Sequence, residues 1–486
     1  MSAVAVEGMA SVSRKSWLTL VAMTGSLSMI LLDQTVVSVA LPTMSRDLPL
    51  STSGAQWVVN AYVLSMAAFV ALGGKLGSKL GPVTTFRIGV AVFFVASAFC
   101  GLAPVGSNGE TWLITARVVQ GVGAALMMPV TAVIVMAAFP ESVRGRAMGA
   151  YVGIGQIFLA LGPLVGGACT EWLSWRVVFW LNVPVGLAAL ALVQVAKPAN
   201  DKQSALRVAV SHVVLLVVGV GTTVYALQQA GTWGWGSTRM LATLGVGLVV
   251  LAAFVAVQLR SDEPLVNVRL FRYVAFLGDM LVLFGTQFGL LVITLFAALY
   301  AQNLLGYSPV QAGFSSMAMI LPLMVGAQLA GRWYDRSGVR PPLLLGLAMC
   351  TVGALIWALQ LPHIEYWSKV PGMALTGLGL GLVFSPVNTD ALSRVGARER
   401  SQASGIVQTV RQLGGTLGVA VIGAIILANE EPQATPAAAI SNTAHAMSIG
   451  FTFSAATFGL TLLGAWFMLS RERPAPDALA TPAEAF

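Results

Sequence analysis

One carboxylate stands alone in the first apolar stretch of the chain. Asp33, in Leu31-Leu32-Asp33-Gln34-Thr35-Val36, is the only ionisable side chain between Lys15 and Arg46. The run from Trp17 to Leu41 is long enough to cross a bilayer as a helix. A charged Asp at the centre of such a helix costs on the order of 2.5–3.5 kcal/mol to insert, so a carboxyl there is neutralised, paired or used. Arg117 lies in another apolar run at a matching distance from its end, and at roughly 1.5 Å per residue the two share a depth. The guanidinium favours the ionised carboxyl and burial disfavours it, so a carboxyl between those influences can exchange a proton when water reaches it. The alternative is a fixed ion pair that only ties two helices together.

Other candidates are weaker. Asp279 and Asp390 fall near the ends of their apolar runs, where snorkelling or pairing within a loop is expected. Arg411 is deeper, and either meets an anionic group in a cavity or satisfies backbone carbonyls. His212 and His445 near helix starts and His363 in a loop carry no chemistry. Cys100, Cys169 and Cys350 all fall inside apolar segments without C-x-x-C spacing, which predicts free thiols packed as small hydrophobes. No phosphate-cradling loop, Ser/His/Asp cluster or metal-ligand spacing is present, so neither an ATPase nor another enzyme is expected, and no cofactor or metal.

The elements that position these residues follow from composition. A chain of 486 residues that is 57% hydrophobic and only 9% charged is too apolar to be a soluble protein and reads as a polytopic membrane protein. The net charge of +8 does not point to nucleic acid, because the basic residues sit in short loops between apolar runs. The first run follows Arg14 and Lys15 as a signal peptide's would, but it is too long and lacks a cleavage site, so it stays as helix 1.

Apolar runs predict about fourteen helices. Six lie at about 17–41, 54–74, 84–104, 111–134, 146–170 and 174–196, two at about 208–228 and 239–259, and six at about 273–300, 309–331, 341–361, 369–392, 401–428 and 445–469. The expected domains are a tail at 1–16, an N-terminal six-helix bundle at 17–196, a linker with inserted helices 7 and 8 at 197–272, a C-terminal six-helix bundle at 273–469 and a tail at 470–486. Residues 1–13 and 472–486 read as disordered. With the N-terminus cytoplasmic, 21 of the 27 Lys and Arg fall on the inner side, which predicts that both termini are cytoplasmic.

The chain also repeats. Gly74-Lys75-Leu76-Gly77-Ser78-Lys79-Leu80-Gly81 resembles Gly331-Arg332-Trp333-Tyr334-Asp335-Arg336-Ser337-Gly338 at an offset of 257, and Pro129-Val130 matches Pro386-Val387 at the same offset. Arg144-Gly145-Arg146 matches Arg398-Glu399-Arg400 at 254. Two parallel six-helix copies with a site between them is the layout of an alternating-access transporter.

Several stretches carry a family likeness: Leu32-Asp33-Gln34-Thr35 through Leu41-Pro42, Gln56-Trp57-Val58-Val59-Asn60-Ala61-Tyr62, Arg117-Val118-Val119-Gln120-Gly121, Gly162-Pro163-Leu164-Val165-Gly166-Gly167, Trp175-Arg176 through Asn182-Val183-Pro184-Val185-Gly186, and Val410-Arg411-Gln412-Leu413-Gly414-Gly415. In them the chain resembles the major facilitator superfamily, and within it the fourteen-helix drug:proton antiporter branch. The resemblance implies an all-α fold of two six-helix bundles plus two inserted helices. It implies a proton-coupled antiporter that exports small amphipathic drugs or antibiotics across the inner membrane by alternating access. Asp33 and Arg117 would couple protons, and Gln34, Trp57, Asn60, Tyr62, Gln120, Phe288 and Arg411 would line the cavity. Aromatic and Met side chains, Met127, Met128 and Phe296 among them, suit flat apolar cations. Gly153, Gly162, Pro163, Gly166 and Gly167 would form the antiporter hinge.

One departure stands out. The family's loop after helix 2 usually reads G-x-L-A-D-R-x-G-R-K, and Ser78 occupies the Asp position. The second copy keeps Asp335, Arg336 and Arg340, so the cytoplasmic gate formed with Gly74, Ser78 and Gly81 is expected to lean on that copy. The expected partners are a small-molecule substrate, protons and the lipid bilayer, with no nucleic acid, and a monomer is expected. The alternatives are a facilitator-fold transporter of one metabolite, symporter or exporter, and a non-transporting membrane sensor or assembly protein.

Overall fold

The computed structural model describes residues 13–48, 50, 52–106, 108–202, 209–261, 264–396, 399–429 and 436–469. The tails expected to be disordered, apart from Ser13, lie outside the described residues, as does Arg398. Every regular element among the described residues is helical. Fourteen helices result: α1 (Arg14–Asp47), α2 (Thr52–Leu80), α3 (Pro82–Gly101), α4 (Gly109–Ala138), α5 (Arg144–Trp172), α6 (Trp175–Ala196), α7 (Val210–Trp233), α8 (Thr238–Arg260), α9 (Val274–Asn303), α10 (Val310–Ser337), α11 (Arg340–Gln360), α12 (Val370–Ser393), α13 (Arg400–Ala428) and α14 (Pro436–Met468). Thirteen are long and apolar enough to cross a membrane, and α5, bent by 43° between Leu159 and Leu164, makes the fourteenth.

Local chemistry sets the ends. Ser13, Ser237 and Ser308 accept from backbone N–H groups at the starts of α1, α8 and α10, the last in a reciprocal box with Gln311. At Gly81 the backbone has φ +89° immediately before Pro82 opens α3, and the Asn200 side chain caps the Val83 and Thr84 amides there. Gly81 is thus a turn residue against the linker rather than part of a contact between halves. Helix α1 runs six residues past the predicted Leu41, where Arg46 suits the negative end of the helix dipole and the Leu48 amide bonds Met44 O at 2.8 Å.

Packing repeats with the sequence. In the first half α2 packs on α4, α3 on α4, and α1 on α5; in the second α10 packs on α12, α11 on α12, and α9 on α13. The halves meet through α5 against α10 and α2 against α13, the same contact made twice with the copies exchanged. Helix α7 spans that seam, touching both α2 and α13, with Tyr225 stacked on Trp57 at 5.7 Å, while α8 packs on α7 and turns Leu241, Val246, Leu248 and Val249 outward. Arg144 Nε bonds Met136 O and Phe139 O at the end of α4, and Arg400 Nε bonds Leu392 O near the end of α12. Arg400 therefore stands in Arg144's place, correcting the offset expected there from 254 to 256.

Candidate functional site

Asp33 sits at the centre of a closed polar cluster inside the first half. Its Oδ2 accepts from Arg117 Nη1 at 2.5 Å, and Oδ1 accepts from Gln120 Nε2 at 2.9 Å and Asn182 Nδ2 at 3.3 Å. Arg117 also donates to Val58 O and Gln120 Oε1 at 2.9 and 2.7 Å, and its guanidinium lies 4.3 Å from the centre of the Tyr62 ring. Ser97 Oγ accepts from Gln120 and Asn182 and donates to Phe179 O. Asp33 and Arg117 are each only 1% exposed. Five helices, α1, α2, α3, α4 and α6, each contribute, so a charge pair that would be costly alone is held by hydrogen bonds on all sides. Helix α6 breaks at Leu181, between Trp180 and Asn182, which is where the Asn182 side chain enters.

Tyr62 and Gln120 belong to this cluster rather than to an open cavity. Ser97 and Asn182 were not singled out by sequence, although Asn182 lies in one of the family-like stretches. A neutral side chain in an apolar helix carries no charge signal, so only the fold reveals its partner.

The α5 bend is tied to α1. Pro163 has no N–H to give Leu159 O, four residues earlier, and Thr35 Oγ1 donates to that carbonyl at 2.7 Å. Gly162 packs against Thr35, and Gly166 faces Val36 O, where a Cβ would stand 2.7 Å away. Thr35→Val strands the carbonyl in a packed bend and is expected to destabilise the protein by about 1–3 kcal/mol. Thermal unfolding checks this, with Thr35→Ser recovering most of the loss; an unchanged midpoint for Thr35→Val would remove the hydroxyl from the bend.

Further along, α5 changes neighbour. Gly145, Gly149 and Gly153 face α10, where added Cβ atoms would meet Gly331 O at 2.5 Å, Ala327 O at 2.6 Å and the Ala327 Cβ at 3.4 Å. Gly167 approaches Val310 of the same neighbour. At the symmetric contact, a Cβ on Gly74 would meet Ser401 O at 2.5 Å, and Gly405 packs on Ala71 and Gly74. Gly145 against Gly331, and Gly74 against Ser401 and Gly405, let two pairs of backbones touch at the end of the bundle where α1 begins, the basic end, whereas Gly167 and Val310 meet at the opposite end. Asp335 Oδ1 accepts from the Gly145 amide at 3.0 Å, at the N-terminal end of α5, and Arg146 Nε lies 3.8 Å from Oδ2.

Ser78, one offset earlier, is buried beside the α2–α13 contact. Neighbouring Lys75 is buried and donates to Pro264 O of the linker at 2.6 Å. Arg336 is exposed, and Arg340 donates to Trp466 O of α14. Among the described residues Arg146, not either of these, is thus the base that approaches Asp335.

Of the other cavity candidates, Gln34, Asn60 and Phe288 are half-buried, whereas Met127 and Met128 are core residues of the first half. Trp57 is turned to α7. Arg411 is half-buried, with Gln287 Oε1 at 3.3 Å and the Phe384 ring at 5.1 Å. No carboxylate pairs with it among the described residues, and its partner is a side-chain amide rather than backbone carbonyls. Asp279 and Asp390 do not snorkel: both are fully buried and paired with Arg394. A groove of about 680 Å³ lined by Val92, Phe99, Trp112 and Val119 lies on the outer wall between α3 and α4, away from these charges.

A multi-pass membrane bundle of two matched six-helix halves, each holding buried ion pairs, defines a transporter of the facilitator type. The chain belongs to the Major Facilitator Superfamily, whose sequence pattern matches residues 23–419. It is 33% identical over 420 residues to the multidrug resistance protein Stp of Mycobacterium tuberculosis, covering 86% of this chain and 77% of that one. It is 32% identical to the puromycin resistance protein Pur8 of Streptomyces alboniger, covering 99% and 98%. It is also 32% identical to the tetracenomycin C resistance and export protein of Streptomyces glaucescens, covering 85% and 76%. The proton:xylose symporter XylE superposes with a TM-score of 0.66 over 95% of this chain and 98% of its own, at 16% identity, a likeness of fold alone. The chain is accordingly a transporter and not an enzyme.

Proposed function

We propose that this protein is a proton-coupled antiporter that exports small amphipathic compounds, drugs or antibiotics, through a bacterial cytoplasmic membrane by alternating access. The observation that carries the reading is the Asp33–Arg117 pair, buried in a chain whose relatives are named for multidrug, puromycin and tetracenomycin C resistance. In this reading the halves 17–196 and 273–469 rock about a site between them, with Gln34, Asn60, Phe288 and Arg411 facing the cargo. The hinge is the α5 bend at Gly162, Pro163 and Gly166. The basic end is the cytoplasmic face, with both termini there by the Lys/Arg count, and the contacts of Gly145 with Gly331 and of Gly74 with Ser401 form the cytoplasmic gate. The protein works as a monomer. Substrate binding favours release of the proton from Asp33, and the reverse, because the coupling is reciprocal.

A second reading, a transporter of one defined metabolite, shares the fold, as the XylE likeness illustrates. Ethidium efflux from proteoliposomes under an imposed pH gradient separates the readings. Native flux that disappears in Asp33→Asn at matched protein content is the expected result. Native flux unchanged by the substitution would remove Asp33 from coupling, and no ethidium flux at all would favour another cargo or a non-transport role.

A further inference from the structure

The second half holds a buried charge cluster of its own. Asp279 of α9 and Asp390 of α12 are both completely buried, and Arg394, at the end of α12, is 8% exposed. Arg394 Nε donates to Asp390 Oδ2 at 2.6 Å, and its Nη2 lies 2.6 Å from the same oxygen. Asp279 is left the longer approach, Oδ2 at 3.4 Å from Nε, and neither of its oxygens has a hydrogen-bond donor among the described residues. Tyr334 of α10 donates to Asp390 Oδ1 at 3.4 Å.

The charges do not balance. Two carboxylates face one guanidinium, and an unpaired buried carboxylate is expensive in a protein interior. Both carboxyl groups converge on the same nitrogen, Arg394 Nε, at 3.4 Å from Asp279 and 2.6 Å from Asp390, and two carboxyls gathered on one N–H attract each other only when one of them carries a proton. The polar side chains in contact with the dyad are Arg394 at the end of α12 and Tyr334 of α10. Helix α14, packed on α9, presents Met468 there, and Arg400 at the start of α13 bonds the Leu392 carbonyl. None of these supplies a second positive charge to the dyad.

We propose that Asp279 and Asp390 together hold one proton over Arg394, forming a second proton-binding site in the C-terminal half, separate from Asp33. The proton resides on Asp279, whose O–H donates to Asp390, and the ionised Asp390 pairs with Arg394. The cluster is then neutral with no group unpaired. Fold symmetry does not demand it: one offset of 257 earlier the four positions are Ala22, Val133, Ala137 and Gly77. The site also adjoins the α5–α10 contact, since Tyr334 of the dyad cluster precedes Asp335, which holds the Gly145 amide. A proton here is placed to be gained or lost as the basic end opens.

Infrared spectra of the full chain in lipid nanodiscs at neutral pH, recorded in H2O and D2O, read the proton directly through the carbonyl band of a protonated carboxyl. The expected result is a band in the native protein that Asp279→Asn removes, that Asp279→Glu moves, and that Asp33→Asn retains. Asn copies the shape of a neutral Asp and leaves the Asp390–Arg394 pair balanced, so this variant should fold; if it does not, the shift in Asp279→Glu decides. No such band in the native chain, or a band kept by both Asp279→Asn and Asp390→Asn, would overturn the site. The spectra read no flux, so they stand or fall independently of the role proposed for Asp33.

Discussion

Replacing Arg117 with Met is expected to destabilise the folded protein by about 3–5 kcal/mol and to abolish gradient-driven transport. The substitution removes the donors to Asp33 Oδ2, Val58 O and Gln120 Oε1 and leaves a carboxylate buried without its cation. Asp33→Asn should cost less, because Arg117 keeps Val58 O and Gln120 Oε1. The double variant Asp33→Leu/Arg117→Met should regain part of the loss, since no buried charge then remains unpaired. Unfolding followed by tryptophan fluorescence in detergent reads all three. A cost for Arg117→Met within about 1 kcal/mol of native would mean the pair is not the ionised, desolvated unit described above.

The second large effect is expected at the basic end. In Gly331→Val the new side chain collides with Gly145 O and Arg146 Cα, where no space exists between α5 and α10. Overpacking of this kind costs about 1–3 kcal/mol, enough to shift a two-state equilibrium by roughly 5- to 150-fold toward the open form. Ser385 is buried behind this contact, its Oγ 3.5 Å from Gly145 O. A cysteine placed at that position in a chain whose three native cysteines are replaced by serine should be shielded from a water-soluble maleimide. Adding Gly331→Val should speed its labelling by about fivefold or more. Asp335→Ala should act in the same direction but more weakly, through the loss of about 0.5–2 kcal/mol at the start of α5. Labelling unaffected by either change would show that this contact does not control access to the basic end.

The sequence by itself determined the membrane class, the fourteen helices, the repeat and the pairing of Asp33 with Arg117. Each of these is written in features that a chain carries locally. Apolar run length reports a bilayer crossing because the backbone must satisfy its own hydrogen bonds there, and a lone charge in such a run advertises its cost. The Asp335 contact was also legible, since one copy kept an acid that the other had replaced with Ser78.

Only the tertiary structure decided what lay on the other side of each interface. It gave Asp33 its neutral partners Gln120, Asn182 and Ser97, assigned Thr35 to the carbonyl left by Pro163, and turned Trp57 toward α7. It also moved Asp279 and Asp390 from expected surface positions to a buried dyad. Their places near helix ends suggested contact with water, but that surface is covered by α10 and by Arg394, whose approach depends on how α9, α10 and α12 pack. Periodicity and hydropathy describe one helix at a time, whereas the number of cations facing two carboxylates is a property of three helices together.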